Sequence, residues 1–179
     1  MTKKIVIAFG IISVAALVYL FFGKQFRPSP PGRAELTNGD LSVTISYSRP
    51  SVKGRTIFGT AEEGALQPYG KYWRLGANEA TEINFNKDVI FNGKPVKAGT
   101  YSMYAVPGAE TFDIALNSET DKSGASEPNH SLDVLHTLTP VQPTDSPVET
   151  FTISLEPMDS GITIIFEWAS TRFIIPVTN

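Results

Sequence analysis

The sequence predicts an all-β protein: an antiparallel β-sandwich that follows a single N-terminal transmembrane helix. Three observations predict it. Short apolar–polar alternations recur from Leu41 onward, turn dipeptides separate them, and nothing beyond Leu41 has the three-turn amphipathic periodicity of a helix. Parallel sheets need long, usually helical crossovers, so the α/β architectures drop out and packed antiparallel sheets remain. A flattened barrel is built from short strands of the same kind, and the spacing alone does not separate the two.

The first element is the run from Ile5 to Phe22, IVIAFGIISVAALVYLFF, which has no charge and is flanked by Lys3 and Lys4 on one side and Lys24 and Arg27 on the other. As a helix this run rises ~27 Å, close to the ~30 Å hydrocarbon core of a bilayer. A cleaved secretory signal has a shorter apolar region, about 7 to 15 residues, with a small-x-small site close behind it. The run here is longer, and Gly32-Arg33-Ala34 lies too far beyond it. Residues 1–24 are therefore expected to be a signal-anchor, with the membrane as the partner of residues 5–22. Basic residues nearly balance across the run, so orientation follows from likeness to an ordinary single-pass signal-anchor rather than from charge. That places the domain on the outer (periplasmic) side of the cytoplasmic membrane. Residues 25–40 contain RPSPPGRAELTNGD, rich in proline and glycine, and are expected to be an extended spacer. The β-sandwich domain is expected over residues 41–179.

Within it, LSVTISY places Leu41, Val43 and Ile45 on one face and Ser42, Thr44 and Ser46 on the other. Further strands are expected at 55–58, 81–86, 88–91, 99–106, 111–117, 132–139, 150–155, 162–168 and 172–177. Asn92-Gly93, Pro107-Gly108 and Ser160-Gly161 punctuate them as tight turns. Ser170-Thr171 is expected to return the chain between the last two strands. Residues 118–131, SETDKSGASEPNHS, read as a mobile polar surface loop.

Composition excludes several functions. With 15 Lys and Arg against 18 Asp and Glu, and a formal charge of -3, the chain lacks the basic surplus that nucleic-acid binding exploits. It has no cysteine, which removes disulfides, thiolate metal sites, cysteine nucleophiles and cysteine-linked lipids. There is no G-x-S-x-G elbow, S-x-x-K pair, Walker loop or H-E-x-x-H. His130 and His136 are the only histidines. Six residues apart they would stand ~20 Å from each other on a strand and face different ways on a helix. They are not expected to share a metal unless an irregular loop gathers them with Asp133 or Glu127. No metal and no cofactor is expected.

The stretch 47–81 departs from its surroundings in content. It holds Arg49, Lys53, Arg55 and Arg74 among Tyr47, Phe58, Tyr69, Tyr72 and Trp73, with Asn78 and Glu79 beside them. Guanidinium groups near aromatic faces and amides bind carboxylates, phosphates or sugars by forked hydrogen bonds and stacking. A pocket for a small anionic or polyhydroxylated ligand would use Arg49, Lys53, Arg55 and Arg74 as binders. Trp73 or Tyr69 would be its stacking wall, with Tyr47, Asn78 and Glu79 completing it. The same residue types also tie loops together through charge-assisted hydrogen bonds, for example Arg74 or Arg55 with Glu79. That makes a structural or interaction module of the cell envelope the second reading. A third is a hydrolase or lyase in which Glu79, kept ionised by Lys53, acts as a base. Geometry separates them, since a pocket needs these groups convergent and open, whereas a structural role pairs each one under cover.

Tyr47-Ser48-Arg49-Pro50, Lys53-Gly54-Arg55, Ile57-Phe58-Gly59, Pro68-Tyr69-Gly70, Trp73-Arg74, Gly76-Ala77-Asn78-Glu79-Ala80-Thr81, and Ala98-Gly99-Thr100-Tyr101 through Pro107-Gly108 follow one another in order. This series resembles the uncharacterised bacterial domain family DUF2911. The likeness is strongest over residues 41–117 and looser beyond, where Lys122-Ser123-Gly124-Ala125 stands in place of a Trp-Gly-Ala step. It implies a β-rich secreted or envelope domain and transfers no activity.

Overall fold

Alternation of burial builds the strands that hold the fold together. In β2 (Leu41–Ser48) the side chains of Leu41, Val43 and Ile45 are completely buried, while those of Ser42, Thr44 and Ser46 face away. The computed structural model describes residues 29–179. The expected anchor, residues 1–24, lies outside the described residues, and no helix among those described is long and apolar enough to cross a membrane.

One sheet has six antiparallel strands in the order β1 (Pro31–Asn38), β2, β5 (Thr81–Phe85), β8 (Gly99–Val106), β9 (Thr111–Asn117) and β10 (Asp133–Pro140). The other has four, β11 (Gln142–Met158), β12 (Gly161–Thr178), β6 (Val89–Phe91) and β7 (Lys94–Val96), also antiparallel. A short parallel pair, β3 (Phe58–Gly59) with β4 (Gln67–Pro68), lies in the connection after β2. The protein is all-β with antiparallel main sheets. Both sheets feed one core: Ile45, Ile83, Met103 and Ile114 from the first meet Phe151, Ile164, Phe166 and Ile175 from the second. Trp73 stacks on Trp168 with centroids 5.8 Å apart, and Phe166 on Phe173 at 4.5 Å. Full burial of one large apolar side chain contributes about 1.5–3 kcal/mol.

Four expectations need correction. The folded region begins at Pro31 and not at Leu41, because much of the expected spacer is β1, paired along its length with β2. Its alternation is weak, but Ala34 and Leu36 pack on the core, and Gly39 at φ 62 closes the hairpin. Pro31 is tolerated because β1 is an edge strand. The strand expected at 55–58 shrinks to Phe58–Gly59. The strand at 150–155 is part of a longer one, β11. The chain does not turn at Ser170-Thr171; 162–168 and 172–177 are one strand, β12, bent at Ala169, where φ is 53 and the register against β11 shifts nearby.

Edge strand β10 is blocked from further pairing. The Lys94 ammonium donates to the carbonyl of His136 at 2.6 Å, and the Asn92 amide donates to that of Leu138 at 3.1 Å. Side chains that occupy edge carbonyls discourage strand addition.

Candidate functional site

Cross-strand pairing aligns a polar row on the outer face of the six-stranded sheet. Arg33 pairs with Ser46, Ser46 with Glu82, Glu82 with Ser102, Ser102 with Asn117, and Asn117 with Asp133. Directly paired residues point to the same side of a sheet, so these six form one line from β1 to β10. Its middle is covered: Ser102 is 5% exposed and Asn117 is fully buried. The cover is the loop 118–131, which crosses that face. The loop is tied down by the Asp121 amide donating to Glu82 Oε1 at 2.8 Å, by the Ala80 amide donating to the Lys122 carbonyl at 3.2 Å, and by the Asn117 amide donating to the Asn129 carbonyl at 2.9 Å. The loop leaves both ends of the row open.

At the β1–β2 end is a cleft of about 1000 Å³. A turn of unusual backbone forms one wall, with Leu75 at φ 51, Gly76 at φ 152 and Asn78 at φ 59. Residue 76 must be glycine, because a Cβ there would stand 2.7 Å from the Ser48 carbonyl oxygen. The turn is held by the Thr81 hydroxyl donating to the Leu75 carbonyl at 2.6 Å and by paired backbone hydrogen bonds of Trp73 with Ala105. Non-glycine residues at positive φ persist only where surrounding contacts over-determine them. Here the turn presents Arg74, Asn78 and Glu79 to the cleft. Gly124 of the loop packs against the Arg74 stem, and a Cβ at this glycine would lie 2.6 Å from Arg74 Cδ. The Gly124 amide and the Arg74 guanidinium both donate to the Asn78 carbonyl, at 3.0 and 3.1 Å.

The nine residues singled out in the sequence separate into groups. Tyr47, Arg74, Asn78 and Glu79 line the cleft, together with Arg33, Glu82, Asp121 and Lys122 from the sheet and loop. The Tyr47 hydroxyl also ties the sheets together, accepting from the Ile153 amide at 3.0 Å and donating to its carbonyl at 3.3 Å. Arg49 reaches across to β11, donating to the Phe151 carbonyl at 3.4 Å and the Thr152 hydroxyl at 3.1 Å. Arg55 donates to the carbonyls of Val52 and Ser51. Trp73 is 2% exposed, with its ring packed among Trp168, Phe58 and Phe151. Lys53 is exposed, at φ 50, and lines a second cleft of about 470 Å³ that also touches Arg55, Arg74 and Asn78. Tyr69 is exposed and lines neither cleft.

The other end of the row holds a cluster that the sequence reading did not place together. Both histidines reach one oxygen: His130 Nδ1 and His136 Nε2 each lie 3.2 Å from Asp133 Oδ2. The Tyr104 hydroxyl donates to the same oxygen at 2.8 Å and lies 2.9 Å from His130 Nδ1. The Asn117 amide donates to Asp133 Oδ1 at 2.7 Å. The outer ring nitrogens also face carboxylates, His136 Nδ1 on Asp113 at 3.0 Å and His130 Nε2 on Glu127 at 3.3 Å. The separation expected for a strand fails because His130 belongs to a 3-10 turn, His130–Leu132, and the register slips between Asp133 and Leu135. The spacing His130-x-x-Asp133-x-x-His136 was the available signal; it signifies convergence only where a turn meets a strand.

These contacts shift the cluster's protonation equilibria. Glu127 raises the pKa of His130; burial opposes it, and Asp133 adds to the rise. Burial pulls His136 down, but Asp113 and Asp133 outweigh it and raise it. For Asp133, burial is outweighed by the donors Asn117, Tyr104, His136 and His130, which hold its carboxyl below the usual range. Burial, then the Asp133 contact, pushes the Tyr104 hydroxyl well up, so it stays protonated as a donor.

The class these features define is an all-β domain of two antiparallel sheets, with a polar row on one outer face roofed by a loop. The model of the family described as "Protein of unknown function (DUF2911)" matches residues 29–177, from just before β1 into the end of β12. The chain belongs to that family. No curated protein and no solved structure matches it.

Proposed function

We propose that this chain is an envelope domain that binds a small polyhydroxylated ligand in the cleft between the β1–β2 end of the sheet and the loop 118–131. In this reading the domain is a β-sandwich tethered by residues 5–22, as a transmembrane helix, at the outer (periplasmic) side of the cytoplasmic membrane. The observation that carries the ligand is Arg74. Its guanidinium makes a single hydrogen bond among the described residues, to the Asn78 carbonyl, and borders an open cleft of about 1000 Å³. The cleft mixes Arg33, Arg74 and Lys122 with Glu79, Glu82 and Asp121. A simple anion would meet three carboxylates there, whereas hydroxyl groups satisfy donors and acceptors of both signs.

The test is a thermal-shift screen of the full chain in detergent against sugars, polyols and their phosphates, repeated with Arg74→Ala. A ligand at 100 times its Kd stabilises the folded state by about 2.7 kcal/mol. The expected result is a polyol or sugar that raises the melting temperature of the wild type and not of the variant. Equal shifts in both would place binding elsewhere.

The second reading, a structural or interaction module of the envelope, draws on Arg49 and Arg55. Both spend their guanidinium donors on the chain's own carbonyls and a hydroxyl. A screen without hits, combined with strong destabilisation by Arg74→Ala, would favour it.

A further inference from the structure

We propose that the second cleft, lined by Lys53, Arg55 and Arg74, binds the phosphate monoester group of a small molecule. This site goes beyond the polyhydroxylated ligand of the first cleft and does not depend on it, although Arg74 and Asn78 border both spaces.

Charge comes first. The cleft measures about 470 Å³, and no Asp or Glu among the described residues lines it. None of its three cations pairs with a carboxylate among those residues, in contrast to Lys87 with Asp40, Lys97 with Asp88 and Lys122 with Glu119. Glu149 accepts from the Lys53 backbone amide at 3.0 Å, but it does not line the cleft. Like charges around one open space repel each other, and an anion placed among them relieves that repulsion.

The cations are fixed from behind. Arg55 donates from Nε to the Val52 carbonyl and from Nη2 to the Ser51 carbonyl. These neutral acceptors position the guanidinium and leave its charge uncancelled, with Nη1 unbonded among the described residues. Arg74 donates there from Nη1 alone, to the Asn78 carbonyl. Lys53 at φ 50 and Gly54 at φ 69 form a left-handed turn, closed by the Arg55 amide donating to the Val52 carbonyl at 3.1 Å. A lysine at positive φ is uncommon and persists where its surroundings over-determine it. Guanidinium forks match phosphate oxygens, and an ammonium adds a point charge.

The remaining lining adds donors. Burial raises the pKa of the Tyr72 hydroxyl; Arg74 opposes the rise and Glu127 adds to it, so the group stays protonated. Trp168 is 1% exposed and lines the inner side of the cleft, and its indole N–H is buried without an acceptor among the described residues. Donors and cations without a carboxylate suit a guest rich in acceptors. A phosphate monoester brings a charge of about −1.5 to −2 at neutral pH and three acceptor oxygens, more than a carboxylate offers. Three cations therefore favour the phosphate.

The test is titration of the full chain, in a non-ionic detergent, with inorganic phosphate and with glycerol 3-phosphate, against sodium chloride at matched ionic strength. Calorimetry measures the affinity. Trp73 and Trp168 are the chain's only tryptophans and both line this cleft, so intrinsic fluorescence reads the site itself. Saturable binding of both phosphates is expected, with acetate at least roughly 10-fold weaker. Lys53→Asn removes one charge and keeps a residue tolerant of positive φ. It should weaken binding by about 10-fold or more, as loss of a charge-assisted hydrogen bond does, and Lys53→Arg should restore it. Circular dichroism confirms folding of each variant. Lys53 does not line the first cleft, so a polyol-induced thermal shift should persist in Lys53→Asn. The proposal is overturned if the wild type shows no saturable response beyond that to sodium chloride, or if folded Lys53→Asn binds phosphate as tightly as the wild type. Binding of inorganic phosphate with exclusion of glycerol 3-phosphate would overturn the monoester assignment. Joint loss of the phosphate and polyol responses in folded Lys53→Asn would overturn the separation of the two clefts.

Discussion

Residues 47–81 and residues 117–136 make opposite use of polar side chains. The first stretch concentrates arginines and aromatics, the usual content of a binding surface, yet much of it is turned inward. Arg49 spans to β11, Arg55 caps nearby carbonyls, and Trp73 is core. The second contains a low-complexity polar loop, yet its two ends bring Asn117, Asp133 and both histidines together with Tyr104. The difference lies in what satisfies each group. Arg49 finds carbonyl and hydroxyl acceptors on a neighbouring strand and is spent there, whereas the cluster's carboxylates outnumber its imidazoles and one carboxylate oxygen is unmatched. Residue type states what a side chain can bind; the fold decides whether the protein has already bound it.

The comparison breaks most visibly at Trp73. If this residue is core and not a ligand wall, Trp73→Ala should destabilise the domain by about 3–5 kcal/mol, measured by urea unfolding. A loss well under that, with altered ligand binding, would return Trp73 to the binding surface. Next in size is Asn117→Ala, which removes hydrogen bonds to the Asn129 carbonyl, Asp133 Oδ1 and the Glu119 amide from a fully buried position. A loss of about 1–3 kcal/mol is expected, with faster proteolysis inside 118–131. Rapid cleavage of the wild-type loop would instead show that those ties do not hold it down. Tyr47→Phe keeps the ring and deletes only the hydroxyl that bonds both backbone groups of Ile153. Its expected effect is about 1 kcal/mol, read from the urea midpoint, with ligand affinity unaffected if Tyr47 serves the sheets rather than the cleft.

Legibility in the sequence followed period and distance. Leu41, Val43 and Ile45 could be assigned to the core because alternation within one strand is a local property. β1 was missed because Ala34 and Leu36 are a thin apolar stripe in a proline-containing segment, and only pairing with β2 completes the pattern. The β12 bend looked like a hairpin because Ser-Thr next to apolar runs has the composition of a turn; Ala169 at positive φ takes up the irregularity within one strand. In the candidate site, Arg74, Asn78 and Glu79 were legible as neighbours in sequence that share one turn. The histidine cluster was not, because the distance between His130 and His136 depends on a 3-10 turn and a register slip that nothing in their side chains announces.

The smallest expected effect on stability is the sharpest test of that division. Arg74 and Arg49 are the same residue type in one segment, both half-buried, and each donates to a backbone carbonyl. Removing Arg49 takes a tie away from β11 and strips the stem that packs over Gly32, where an added Cβ would lie 2.8 Å from Arg49 Cγ and Cδ. Removing Arg74 also uncovers Gly124, which packs against its stem, but leaves the Asn78 carbonyl still bonded to the Gly124 amide. Arg74→Ala should therefore change stability by less than Arg49→Ala does, about 0.5 kcal/mol, while abolishing the ligand-induced thermal shift. Arg49→Ala should do the reverse, lowering the urea midpoint and keeping the shift. Equal destabilisation by the two variants would mean that the cleft arginine is as structural as its neighbour, and that residues 47–81 serve the fold throughout.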